Sequence, residues 1–287
     1  MRGKNIVSAV MGRILMIGFG VQILLGMGWM FCHIGYYQEF PDSAFLERVA
    51  GSLVCDEYTG ILYPLLILLC QGITRVVPIP YFCVLYLIQL AVAGAAAWCF
   101  LKGFEPFRRS NPVCRIWAIL SILTLPMAMQ CHLAVLPVSL TSSLFLLQGG
   151  IYLQSRQTPF MEDAKIQKQG AKPERKKKSR GPILTLTKLG IVGLIAGLLL
   201  PEYRLFGMIL PLFHAIGEIL RADVVTRGTT RQTPDDDATQ ADSPVTGAAF
   251  AGRGRRILQI ALVTAAFMGM SSLLAELFTV QGAYGPM

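Results

Sequence analysis

Apolar residues fall in eight long blocks along the chain, at about 14–32, 60–74, 79–101, 114–130, 133–153, 183–200, 204–220 and 257–280. Most approach or exceed the roughly 18 apolar residues that cross a hydrocarbon core as a helix. The polar stretches between them differ in charge. The start (Arg2, Lys4, Arg13), the loop 102–115 (Lys102, Arg108, Arg109 and Arg115 against Glu105) and the loop 154–182 (nine basic residues against three acids) are basic. Basic loops stay on the cytoplasmic side, so these three are expected inside. The stretch 33–59 then lies outside.

An odd number of crossings must separate 33–59 from 102–115, yet two blocks lie between. Block 79–101 has no charge before Lys102, whereas 60–74 is shorter and contains Pro64, Gln71 and Gly72. The shorter block suits an interfacial or re-entrant helix on the outer face, where water or protein satisfies freed backbone groups. The remaining blocks pair into hairpins with outside turns near Gln130–Pro137 and at "PEYR" (201–204). The fold class expected is therefore an all-α polytopic membrane protein, with about seven transmembrane helices plus one outer-face helix.

Composition agrees. Of the 287 residues 53% are hydrophobic and 15% charged, against about 25% charged in a soluble domain. The net charge of +9 does not point to nucleic acid, because the basic residues sit in a few loops between apolar blocks. The first block follows Arg2 and Lys4 and ends in Trp29, Met30 and Phe31. It is longer than the roughly 7–15 apolar residues of a signal peptide and lacks small residues at its end, so it reads as an anchor in the plasma membrane with a cytoplasmic N-terminus. Residues 221–256 have almost no apolar content before Phe250 and read as a disordered cytoplasmic linker. Asp235, Asp236 and Asp237 within it read as a solvated run. This divides the chain into a core over 1–220 with its outer loop 33–59, a linker over 221–256, and a last span with a short tail over 257–287. Of seven cysteines, those inside apolar blocks read as small buried hydrophobes. Cys32 and Cys55 flank the outer loop and would pair on an oxidising face.

That outer loop carries the densest acidic patch: Glu39, Asp42, Glu47, Asp56 and Glu57, with Arg48 the one cation. Boundary charges such as Glu39, Glu47 and Glu57 are as readily solvated anchors as functional groups. Pro41-Asp42-Ser43 opens a helix-like stretch, so for Asp42 a helix cap and a catalytic carboxylate compete evenly. The same face collects Gln130 and His132 in one turn and Glu202, Tyr203 and Arg204 in another. Arg204 either snorkels or grips a lipid phosphate with its planar fork. His132 and Gln130 would bind a metal only together with Asp42, and a polar turn is the stronger reading, so no metal site is assigned.

One helix, an outer loop with an acid near its start, a short aromatic-proline helix "GILYPLLILL" (60–69) and then Arg75 together resemble the first half of the GT-C glycosyltransferases, a superfamily with protein O-mannosyltransferases and lipid A aminoarabinose transferases among its members. Asp42, Phe45, Ala50 and Tyr63-Pro64-Leu65 match the pattern, and the likeness runs over about 10–215. Where that superfamily often has a second acid, "LPMAMQCHLAVLP" (125–137) offers only Gln130 and His132. The resemblance implies a sugar carried on polyprenyl phosphate and an acceptor of unknown identity. It makes Asp42 the general base and Arg204, with Arg75 second, the cation at the departing phosphate. Asp56, Glu57, His132, Gln130 and Glu202 would support them. GT-C enzymes have more spans, so the resemblance also implies a truncated form, with a companion membrane subunit as a possible partner. A transporter fits less well, because the spans are nearly free of charge. A non-catalytic membrane subunit is the other alternative.

Overall fold

The computed structural model describes residues 2–52, 60–169 and 181–230, and a few positions between 259 and 269. Among the described residues every regular element is a helix. Two of them, Met16–His33 and Tyr81–Leu101, are long and apolar enough to cross a membrane, and a third crossing is available if one bent pair counts as a single span. Leu62–Thr74 and Ile183–Leu199 are apolar but shorter.

Helix α1 (Arg2–His33) contains the first apolar block. Helix α2 (Pro41–Ser52) starts on a proline, whose missing N–H costs nothing in the first turn, and has Asp42 beside it. It packs Leu46, Val49 and Ala50 inward. Helix α3 (Leu62–Thr74) begins just after Gly60. A Cβ on Gly60 would lie 2.0 Å from the Leu198 carbonyl oxygen, so only glycine allows that approach. Helix α4 (Tyr81–Leu101) follows Pro80 in an extended conformation. Tyr63 near the start of α3 is bonded to Gln89, two turns into α4 (3.0 Å), while the end of α3 lies a few residues before Tyr81. Helix α3 therefore runs back along the first half of α4.

Past the short α5 (Glu105–Arg109), the expected fourth block is broken. Helices α6 (Pro112–Leu123) and α7 (Pro126–His132) meet at 73°. Pro126 is the cause: its ring excludes the helical region for the residue before it, and Leu125 is extended at φ −59°, ψ 131°. Gln22 of α1 donates to the Ser121 carbonyl (3.2 Å), and Gly26 packs on Thr124, so α1 and α6 run in parallel.

Helix α8 (Val138–Gln169) continues well beyond residue 153. Its first sixteen residues lie alongside α4. Gln89 Nε2 donates to the Leu136 carbonyl just before α8 (3.3 Å), and Gln154 Nε2 donates to the Cys99 carbonyl (2.6 Å). These bonds make α4 and α8 parallel, so α6 and α7 together must carry the chain back between their opposite ends.

Helices α9 (Gly181–Leu199) and α10 (Arg204–Thr230) form a hairpin closed by a 3-10 turn, Pro201–Tyr203. Gly193 meets Gly207 backbone to backbone, and Gln148 of α8 clamps both helices, donating to the carbonyls of Leu189 (2.8 Å) and Gly207 (2.7 Å). Close approach of small residues and interhelical side-chain bonds hold helices together where the hydrophobic effect cannot. Val263 packs on Leu186 and Ala215. Residues 221–230, expected in a linker, continue α10. The rest of that linker and most of the last span lie outside the described residues.

Candidate functional site

The main core lies at the α2 end. Leu46 and Ala50 of α2, Tyr63, Ile67 and Cys70 of α3, Leu85 and Tyr86 of α4, and Leu133 and Val135 before α8 form one buried cluster. Polar atoms within it are paired to the elements that converge there. Ser43 is fully buried and donates to the Val135 carbonyl (3.2 Å). The Tyr86 hydroxyl accepts from the Gln38 backbone N–H (3.4 Å), and the Cys83 thiol donates to the Ile34 carbonyl (3.2 Å). Surface helix α2 is thus fixed to the segment before α8, and the connection that leads to it from α1 is fixed to α4.

Glu47 is the carboxylate held at this end. Its Oε1 accepts hydrogen bonds from the hydroxyls of Tyr37 (2.6 Å) and Tyr81, one from the connection after α1 and one from the first turn of α4. Its Oε2 accepts from no described residue. Phe82 stacks edge-on against both Tyr37 (5.7 Å) and Tyr81 (6.0 Å) and tilts against Tyr86 (5.7 Å), so the carboxylate sits on an aromatic wall. Burial and then the Glu47 carboxylate push the Tyr37 hydroxyl up from 10 to about 12. Tyr37 therefore stays a donor at any neutral pH. The arrangement leaves a half-buried carboxylate with one oxygen fixed by two phenols and a second to which no described residue donates, which suits it to accept from a ligand hydroxyl or amine.

Glu47 was legible only in part. Residues 43, 46, 47 and 50 share one stripe of a helix, and Ser43, Leu46 and Ala50 on that stripe are buried. The stripe sets Glu47 against the protein rather than in water. Its two tyrosine partners, ten and thirty-four residues away, leave no local signal.

Asp42 is exposed, in the first turn of α2. The helix starts at Pro41, so Asp42 does not occupy the cap position, and it stands where a negative charge favours the helix dipole. It shares α2 with Glu47. His132 is not a polar residue of a surface turn. It is buried, 5% exposed, as the last residue of α7, and its Nδ1 is paired with the Ser139 hydroxyl at 2.7 Å. The break at Pro126 turns α7 inward and takes His132 with it, while Gln130 on the other side of α7 is exposed. Asp56, Glu57 and Cys55 lie outside the described residues.

The two arginines are held apart. Arg75 caps the C-terminus of α3, exposed, next to the turn that leads to Tyr81. Arg204 opens α10, half-buried, with its side chain across Gly197. Gly60, at the opposite end of α3 from Arg75, touches Leu198 and Leu199 of the same α9 end. The thirteen residues of α3 are about 20 Å long, so one phosphate cannot touch both arginines. Glu202 is exposed in the 3-10 turn beside Arg204. Among the described residues no three His, Cys, Asp or Glu side chains are grouped to hold a metal ion.

These features define a helical bundle with two helices long and apolar enough to cross a membrane and a carboxylate-bearing surface helix fixed at one end. Comparison with family models, with curated proteins and with solved structures finds no match to the chain.

Proposed function

We propose that the chain is a multi-pass plasma-membrane glycosyltransferase that moves a sugar from a polyprenyl-phosphate carrier to an acceptor at the outer surface. One observation carries this reading: a single short helix, α2, presents an exposed carboxylate, Asp42, together with a tyrosine-held one, Glu47. The second acid that the chain lacks at 125–137 is thereby supplied from within α2. In the reaction, Asp42 accepts the proton of the acceptor hydroxyl as its oxygen bonds to the anomeric carbon. The carbon–oxygen bond to the phosphate breaks, and polyprenyl phosphate leaves with the electron pair. Glu47 accepts from a sugar hydroxyl through its open oxygen. Arg75 leads to Tyr81, the partner of Glu47, and takes the departing phosphate. Arg204 stands on the far side of α3 as a separate cation.

In this reading the α2 end is outside and the N-terminus is cytoplasmic. The crossings number seven: α1, α4, the bent pair α6–α7, α8, α9, α10 and the segment 257–280, with α3 re-entrant from outside. The parallel course of α4 and α8 supports the bent pair as a crossing. Cysteines placed at Glu39 and Lys102 should label from opposite sides. Labelling of both from one side would remove the topology and the site.

The direct test is transfer of labelled sugar from a mixture of polyprenyl-phosphate sugars by the purified chain in lipid. Transfer that disappears in Asp42→Asn supports the reading, and absence of transfer from every donor overturns it. The 73° break between α6 and α7 favours a second reading, solute passage, because transporters break helices where they bind cargo. Uptake into proteoliposomes without transfer would select it.

A further inference from the structure

The end of the bundle away from α2 carries its own constellation. Gln148 is bonded to the Leu189 carbonyl, which puts Lys188 of α9 at the level of Gln148 on α8. Gln154 is bonded to the Cys99 carbonyl, and Lys102 lies one turn beyond, its backbone N–H bonded to Trp98 (3.0 Å). Arg156 stands half a turn past Gln154. Its guanidinium is 5.2 Å above the Tyr152 ring and donates to the Tyr152 hydroxyl (3.2 Å). It fills the space beside Gly217, where a Cβ would lie 2.1 Å from its Nη2. Three helices thus bring three cations within about 12 Å along α8.

Among the described residues none of these three charges has an acidic partner. Among the described residues the ion pair present is Arg109 with Glu105, and Glu218, next to Gly217, forms none with Arg156. Arg115, by contrast, is occupied by the carbonyls of Ser110 (3.1 Å) and Arg108 (2.5 Å). A guanidinium held in place by a ring and a glycine, with a long lysine on each of two neighbouring helices toward the same end, is complementary to a phosphate at the headgroup level.

We propose that Arg156, Lys102 and Lys188 bind the phosphate of an anionic phospholipid in the leaflet at this end of the bundle. The site does not depend on the transferase reading. The lipid's chains lie along α4 and α9, and its phosphate takes the planar fork of Arg156 with the lysines as point charges.

Trp98, in the last turn of α4 and edge-on to Phe107 (5.9 Å), is a native reporter. The test uses the full chain with Trp29→Phe and Trp117→Phe, in phosphatidylcholine vesicles containing brominated phosphatidylglycerol or brominated phosphatidylcholine. Brominated phosphatidylglycerol should quench Trp98 at a lower mole fraction than brominated phosphatidylcholine. Arg156→Gln, Lys102→Gln and Lys188→Gln should each reduce that preference about fivefold, and Arg156→Lys should keep most of it. Equal quenching by the two lipids, or an unchanged preference in the triple glutamine variant, would overturn the proposal. So would loss of the preference on adding excess inorganic phosphate, which would indicate a free-phosphate site. The comparison between lipids needs no change at the three cations, so a misfolded charge variant does not decide it.

Discussion

At the α2 end, large side chains fill the interior and polar atoms reach across long sequence separations: Tyr63 to Gln89, Ser43 to Val135, Tyr81 to Glu47. In the α8–α9–α10 sector, glycines remove side chains so that backbones touch, and one glutamine joins three helices. The first mode leaves a carboxylate partly open at a surface. The second leaves no room for a group between the helices and moves its charges to the end. The proposed chemical site accordingly belongs to the first region and the proposed lipid site to the second.

That contrast can be broken at several points. The largest effect is expected from Asp42→Asn, which should lower transfer by about 10²–10⁴-fold with helix content unchanged. Wild-type rates in that variant would take the base role from Asp42. Glu47→Gln should follow, with a loss of about ten- to a hundredfold, the value of a hydrogen bond to a charged group. It should be matched in direction, and exceeded, only by a double Tyr37→Phe, Tyr81→Phe variant if the phenols do more than orient it.

On stability the order of the regions reverses. Gly193→Ala places a Cβ 2.1 Å from the Gly207 carbonyl oxygen and should cost about 3 kcal/mol, seen as a lower unfolding midpoint in detergent. A midpoint within a degree or so of wild type would show that the hairpin has slack. Gln148→Leu should cost less, about 1–2 kcal/mol, as measured for interhelical bonds within membranes.

The smallest effect is in alkali. Tyr37 has its hydroxyl raised to about 12 from 10, so the neutral phenol is favoured by the fold. Its contribution is complete below pH 10 and is lost as pH rises toward 12. In a tyrosinate absorbance titration Tyr37→Phe should remove amplitude from the late phase only. Removal from the phase near pH 10 would mean that the phenol is not held.

Much was present in the order of residues alone. Long apolar blocks between charged loops dictate helices, because backbone groups removed from water must be satisfied within their own segment. Pro78 and Pro80 lie between α3 and α4 and set the start of α4. Two elements were misjudged for local reasons. The stretch 154–169 is polar but rich in helix-forming Gln, Lys and Ala, and helix α8 runs through it. The block 114–130 is apolar, yet Pro126 breaks it, because the geometry before proline outweighs hydropathy.

The site was less legible. Composition located the acidic loop, and Asp42 stands out there by its place at a helix start. Which carboxylate is held, and by what, was decided only when α1, α2 and α4 converged, since Glu47 meets Tyr37 and Tyr81 through space. Likewise nothing local sets Arg75 and Arg204 at opposite ends of α3, or brings Lys102, Arg156 and Lys188 toward one end of the bundle. Local sequence fixes periodicity and breaks, because these depend on neighbouring residues. Partnerships between distant side chains depend on how whole helices pack, and here only the packed bundle determined them.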